Sequence, residues 1–313
     1  MELVINAVIP TFGIMLLGAI AGKFNFLGEK SDKILSNFVY YFSLPAVLFI
    51  SCAQMKMDEF LNIPFISAYS IGTIVVFVLV YITPRVKNNR TEAPLKAMSV
   101  ASPNTAFMGI PVLLALFGPK AMLPVVISTI ILAIVLCFAI ILIELTDCNK
   151  NRSIIRTLLP VIFKNPIILS IIFGFIVSIL NIKLPECIIS LFKELGQTCG
   201  PTAMFAIGIP LTTLRLPKHK RQICYLCFLK LIIMPLVTLP LLILFGASDL
   251  MIATGFILSA MPVAATTFIV AQQYGIYILK TTELIILSTI ISVITLSIAI
   301  IYLANYYPSV LLQ

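Results

Sequence analysis

Two short segments hold the side chains whose type and spacing could do chemistry. The first is Pro103-Asn104-Thr105, preceded by Ser102 and followed by Gly109 and Pro111; the second is Pro262-Val263, followed by Thr266 and Thr267. Neither contains an acid, a base or an activated nucleophile, so neither is equipped to make or break bonds. Their groups suit the holding of a small polar solute. Asn104 offers both a donor and an acceptor, and the hydroxyls of Ser102, Thr105, Thr266 and Thr267 do the same. Pro103 and Pro262 each remove an N–H, which kinks or breaks a helix. A broken helix aims free N–H groups and the positive end of a dipole into its gap, an arrangement that favours a carboxylate. Two roles are open to Asn104: contact with an anion, or capping of the half-helix that follows. The hydroxyls have a second role as well, since Ser and Thr commonly bond back to helix carbonyls.

The elements that must position these segments are set by the composition of the chain. Of 313 residues, 60% are hydrophobic and 11% charged, with a mean hydropathy of +1.13. Soluble domains carry about 25% charged residues, so a soluble enzyme is excluded. Apolar windows long enough to cross hydrocarbon fall at 3–22, 34–53, 64–84, 95–117, 121–143, 158–180, 187–211, 223–246, 250–273 and 284–304. Their runs are continuous and lack the alternation of barrel strands, which predicts an all-α, multi-pass membrane protein of ten transmembrane helices. The first window has no basic region before it and no cleavage pattern after it, so it reads as a retained helix.

The net charge of +9 is a topology signal, and no nucleic-acid partner is expected from it. Sixteen of the 21 Lys and Arg fall in alternate gaps or, for Lys96 and Lys164, in the adjoining part of a window beside one: Lys23, Lys30 and Lys33; Arg85, Lys87, Arg90 and Lys96; Lys150, Arg152, Arg156 and Lys164; Arg215, Lys218, Lys220 and Arg221; and Lys280. Lys56, Lys120 and Lys183 occupy the other gaps. The basic gaps are expected to face the cytoplasm, which places both termini on the non-cytoplasmic side of a cell membrane. His219, the sole histidine, lies among these charges, and Cys224-x-x-Cys227 lacks a thioredoxin-like context, so no metal or redox site is predicted. Lys193, Glu194 and Lys230 fall within windows, either as buried pairs or as side chains reaching for an interface.

The halves of the chain repeat. Gly18 stands opposite Gly174 and Pro45 opposite Pro201 at an offset of 156, and Pro103 stands opposite Pro262 at 159. Five helices per half is an odd number, so the second copy is inverted. Residues 1–145 form the first repeat, 146–157 a cytoplasmic linker and 158–313 the second, with Pro103, Pro111, Pro262, Pro45 and Pro201 as helix-breaking or hinge positions. Inverted repeats imply alternating access around a shared midplane site.

At the prolines a family resemblance emerges. The stretch from Pro103-Asn104-Thr105 through Met108-Gly109-Ile110-Pro111 resembles the fourth-helix signature of the auxin efflux carrier family, which includes PIN-type auxin exporters and bacterial malonate-type carriers. Ala260, Pro262, Phe268, Ala271 and Tyr274 are similar to that family's ninth-helix pattern, and the segments around Pro45 and Ala203-Met204-Phe205 with Gly208 match too. The resemblance implies a fold related to bile-acid/sodium symporters. Its scaffold would be helices 1, 2, 6 and 7, and its mobile, elevator-type transport domain helices 3–5 and 8–10. Helices 4 and 9 would be broken and crossing, with Pro103, Asn104, Pro262 and Val263 at the crossover. Val263 stands where plant members often carry Gln, which points away from auxin and towards a smaller acid. A homodimer through the scaffold is implied as well, and Gly18-x-x-x-Gly22 can serve either such a contact or packing within the chain.

These readings converge on a secondary transporter of small organic anions. The alternative is an anion channel or membrane-embedded sensor using the same pocket. An intramembrane enzyme is disfavoured, because H-E-x-x-H, paired membrane aspartates, a Walker loop and G-x-S-x-G are all missing. No cofactor is expected. Sodium coupling stays open, whereas no Asp or Glu sits mid-span, Glu144 falling past the fifth window and Glu283 opening the tenth, so proton coupling through a buried carboxylate is disfavoured.

Overall fold

The computed structural model describes residues 2–55, 61–83, 91–146, 163–213 and 220–311, and every regular element among them is helical. In chain order they are α1 (Glu2–Phe24), α2 (Ser31–Ala53), α3 (Ile63–Ile82), α4 (Ala93–Ala101), α5 (Ile110–Phe117), α6 (Met122–Thr146), α7 (Pro166–Ile179), α8 (Glu186–Gln197), α9 (Cys199–Gly208), α10 (Arg221–Leu244), α11 (Asp249–Ala260), α12 (Thr266–Tyr274), α13 (Ile278–Tyr306) and α14 (Pro308–Leu311). Five described helical runs are long and apolar enough to cross a membrane: Ser31–Ala53, Ile63–Ile82, Thr105–Thr146, Arg221–Leu244 and Ile278–Tyr306. The third of these is interrupted at Gly118. Gly118 adopts φ 66°, ψ −160°, a conformation closed to side-chain-bearing residues, and so separates α5 from α6. Apolar side chains such as Leu16, Ile74, Ile134, Phe173 and Ile294 point outward, as a lipid-facing surface requires. Lys56, Arg85, Lys87, Arg90, Cys148, Lys150, Arg152, Arg156, Arg215, Lys218, His219 and linker residues 147–157 lie outside the described residues.

Prolines shape the helices in two ways. Three of them are accommodated by a widened π-turn ending two residues earlier: Val39–Ser43 before Pro45, Thr105–Gly109 before Pro111, and Leu229–Ile233 before Pro235. A proline ring clashes with the carbonyl four residues back, and widening the turn to i→i+5 relieves the clash while the helix continues. Pro45 and Pro111 are therefore not breaks, and Pro201 sits inside the first turn of α9, where its missing N–H costs nothing. Pro103 and Pro262 do interrupt their helices. The residue before each is extended, Ser102 at φ −107°, ψ 98° and Met261 at φ −61°, ψ 150°, as a following proline favours.

The helices pack in two groups. In one, α1 lies along α9 and α2 along α7 and α8; in the other, α3 contacts α4, α6 and α10, while α11 contacts α10 and α13. The first group approaches closely at glycines. A Cβ on Gly18 would run into the Phe205 carbonyl, one on Gly22 into the Ile209 carbonyl, and one on Gly208 into the Met15 carbonyl. The Gly18-x-x-x-Gly22 stripe is thus occupied by α9 and the turn that follows it in the same chain.

Several charges sit elsewhere than their sequence positions predict. Lys96, read as a loop residue, is buried in α4, where its ammonium lies 2.7 Å from Glu92 and 4.8 Å from the Tyr277 ring centroid. Lys280 lies 4.9 Å from the same ring, and both Lys280 and Glu283 fall inside α13, which begins before the apolar window. Glu144 is a buried residue of α6 whose Oε1 accepts a 2.9 Å hydrogen bond from the Tyr274 hydroxyl. These helices outrun their apolar windows because polar residues at the ends bury against one another. Tyr277, in the turn between α12 and α13, has its phenol pushed well above the ordinary range by burial, with Glu92 and then Glu283 adding to the effect.

Candidate functional site

The interruptions at Pro103 and Pro262 meet each other. Pro103 and Val263 face one another across an antiparallel bridge, the point where the α4–α5 run crosses the α11–α12 run. In unbroken helices the Asn104 N–H would donate to Val100 and the Ala264 N–H to Ala260. Here the Asn104 N–H donates to the Pro262 carbonyl at 2.8 Å, and the Ala264 N–H to the Ser102 carbonyl at 3.0 Å. Each broken helix therefore donates to a carbonyl of the other, which satisfies amides that no water can reach.

A third lost bond is divided differently. In a continuous helix the Val263 N–H would donate to the Ser259 carbonyl. Instead it donates at 3.2 Å to the Ser288 hydroxyl of α13, which itself donates to Ile285 at 3.0 Å. The Ser259 carbonyl is taken by the Lys230 ammonium at 3.0 Å. Lys230 lies in the π-turn of α10 and is fully buried. The pairing contemplated for Lys230 with Lys193 and Glu194 is not found: the latter two are exposed on α8.

The candidate residues are arranged around this bridge. Ser102, Pro103, Asn104, Thr105, Pro262 and Val263 are buried, and Thr266 is half-buried at the start of α12. Asn104 occupies the cap position of the π-turn, its carbonyl accepting from Met108 at 3.2 Å and Gly109 at 3.0 Å, but its carboxamide makes no capping bond. Its side chain is accordingly not spent on the backbone. The Thr105 hydroxyl has only a 3.5 Å contact, to the Pro103 carbonyl. Ser102 Oγ and Thr267 Oγ1 are buried with no hydrogen-bond partner. Sequence reasoning treated Thr267 as secondary and missed Ser288 and the placement of Lys230. All three come from helical faces whose direction depends on tertiary packing. Among the described residues no group of His, Cys, Asp and Glu could hold a metal ion.

Electrostatically the crossover joins two carbonyl ends, those of α4 and α11, to two amide ends, at Thr105 and Thr266. The amide ends are electropositive and the carbonyl ends electronegative. Lys230 covers the carbonyl end of α11.

The family model for membrane transport proteins matches residues 3–300, nearly the whole chain. The chain belongs to the membrane transport protein family. This is the auxin-efflux-carrier type of family that the proline motifs resemble, a family of membrane transporters and not of enzymes. Similar members include the "Putative malonate transporter" of Rhizobium meliloti (strain 1021), 27% identical over 303 residues and covering 93% of this chain and 92% of the relative. The "Uncharacterized transporter YfdV" of Escherichia coli (strain K12) is 24% identical over 282 residues, covering 87% and 89%. The "Lysosomal cholesterol signaling protein" of Mus musculus is 25% identical over 313 residues, covering 91% of this chain and 36% of the relative. Membership of this family, together with the apolar helices, makes the chain an integral membrane transporter.

Proposed function

We propose that this family member is a secondary carrier of small organic anions, carboxylates of the malonate type, held where the two broken helices cross. The observation that carries the reading is the exchange of backbone bonds at Pro103 and Val263. It leaves two helix amide ends and an uncommitted Asn104 carboxamide at one buried place. The name of the Rhizobium relative supports a dicarboxylate.

In this reading the chain is two inverted five-helix repeats, 1–145 and 158–313, making ten spans with both termini outside a plasma or inner membrane. The group containing α1, α2 and α7–α9 is the scaffold, and α3–α6 with α10–α13 is the elevator that carries the anion past it. The close glycine contacts between α1 and α9 support a rigid scaffold. A homodimer would use scaffold surface other than the Gly18 stripe. Proton coupling through a buried carboxylate is disfavoured, since Glu144 lies in the last turn of α6 and is engaged by Tyr274. A channel or sensor is the alternative, and the signalling name of the mouse relative favours the sensor of the two.

Counterflow into proteoliposomes decides between them. Labelled malonate, other mono- and dicarboxylates and indole-3-acetate are offered to wild type and to Asn104→Ala. A carrier gives saturable flux that internal unlabelled substrate accelerates and Asn104→Ala abolishes in a folded variant. Binding without flux is the sensor outcome. No binding of any carboxylate refutes the anion reading.

A further inference from the structure

Building on the anion-carrier reading, we propose that Lys230 is the resident cation of the crossover, supplying the positive charge that balances the bound anion so that no sodium ion is needed. The ammonium is fully buried, and its described partner is a neutral one, the Ser259 carbonyl at 3.0 Å. Among the described residues no carboxylate pairs with it; the ion pair between Lys96 and Glu92 is separate. An ammonium has three donors, of which Ser259 takes one. A buried charge without a counter-ion is costly, and in membrane segments such charges mark substrate or ion sites.

The position of this charge follows from the broken backbone. Pro262 interrupts α11, the Val263 N–H turns to Ser288, and the Ser259 carbonyl is left without its helical partner. A carbonyl end of that kind would repel an anion and attract a cation from solution. Lys230 fills the place from inside the protein. It reaches there because the π-turn Leu229–Ile233, enforced by Pro235, redirects the side chains of that turn relative to a regular helix. One electronegative end of the crossover is thereby covered by the Lys230 amino group, three residues before Pro262, where a bound anion would favour its protonated form. The amide ends at Thr105 and Thr266 add to it.

The test uses the intact chain in detergent and in proteoliposomes, with malonate as the first probe and the other carboxylates of the panel behind it. Binding is read as the anion-induced rise in thermal midpoint and as flux, in sodium chloride and in choline chloride of equal ionic strength. The variants are Lys230→Met, which keeps the apolar stem, and Lys230→Arg, which keeps the charge; monodispersity on gel filtration establishes that each is folded. Wild type is expected to bind and transport equally in both salts. Lys230→Met should bind at least about tenfold more weakly, with Lys230→Arg recovering part of the loss. Wild-type binding that requires sodium overturns the proposal, and so does a folded Lys230→Met that binds as wild type with only its basal stability lowered. If wild type binds no carboxylate in either salt, the carrier reading and this proposal fall together, an outcome distinct from the other two.

Discussion

Replacing Ser288 by alanine should damage the crossover out of proportion to the single oxygen removed. Ser288 is fully buried on α13, and its hydroxyl hydrogen is committed to the Ile285 carbonyl, so a lone pair faces the Val263 N–H. Without it that amide has no acceptor, because its helical partner, the Ser259 carbonyl, is held by Lys230. A buried donor left unsatisfied costs about 1–3 kcal/mol. For a chain of this length that is a fall of roughly 1.5–5 °C in thermal midpoint. Ser292, one turn further along α13, is the matched control. It is equally buried, but its hydroxyl serves only the Thr289 carbonyl within its own helix, and Ser292→Ala should cost under about 1 kcal/mol. The assay is thermal unfolding of the purified variants in one detergent, followed by flux. Ser288→Ala should also lower transport per folded molecule, since Val263 forms half of the bridge, whereas Ser292→Ala should not. Equal stability of the two variants would refute the backbone accounting on which the crossover description rests.

Other consequences are open to measurement. Gly18→Ala should destabilise by about 1–3 kcal/mol because its Cβ meets the Phe205 backbone, whereas Gly13→Ala on the same helix has open space and should be neutral or slightly stabilising in unfolding assays. Glu92→Leu leaves the Lys96 ammonium buried and unpaired, at a cost of about 3 kcal/mol. The double variant Glu92→Leu with Lys96→Met should recover most of that loss, and a thermal-unfolding cycle in which the two substitutions simply add would contradict the pairing.

Composition, window length and proline spacing determine by themselves that the chain is a helical membrane protein, that Pro103 and Pro262 are special, and that a transporter family is the place to look. Those properties are local: a proline lacks its N–H wherever it stands, and an apolar run of about 20 residues needs lipid whatever surrounds it. Local rules also failed at particular residues. Pro45 and Pro111 look as disruptive as Pro103, yet a π-turn absorbs each. Gly18 and Gly22 are equally suited to another chain or to this one, and only packing assigns them to α9 and the turn after it. Lys96 and Glu144 look like loop-edge charges until Glu92 and Tyr274 cover them. Lys230 shows the limit most clearly. Nothing near it in sequence marks it as a crossover residue, because the carbonyl it holds is freed by a proline 32 positions away, on a helix brought alongside by tertiary packing. Which residues are apolar or lack a donor is written in the chain; which orphaned carbonyl meets which donor depends on how the broken helices cross.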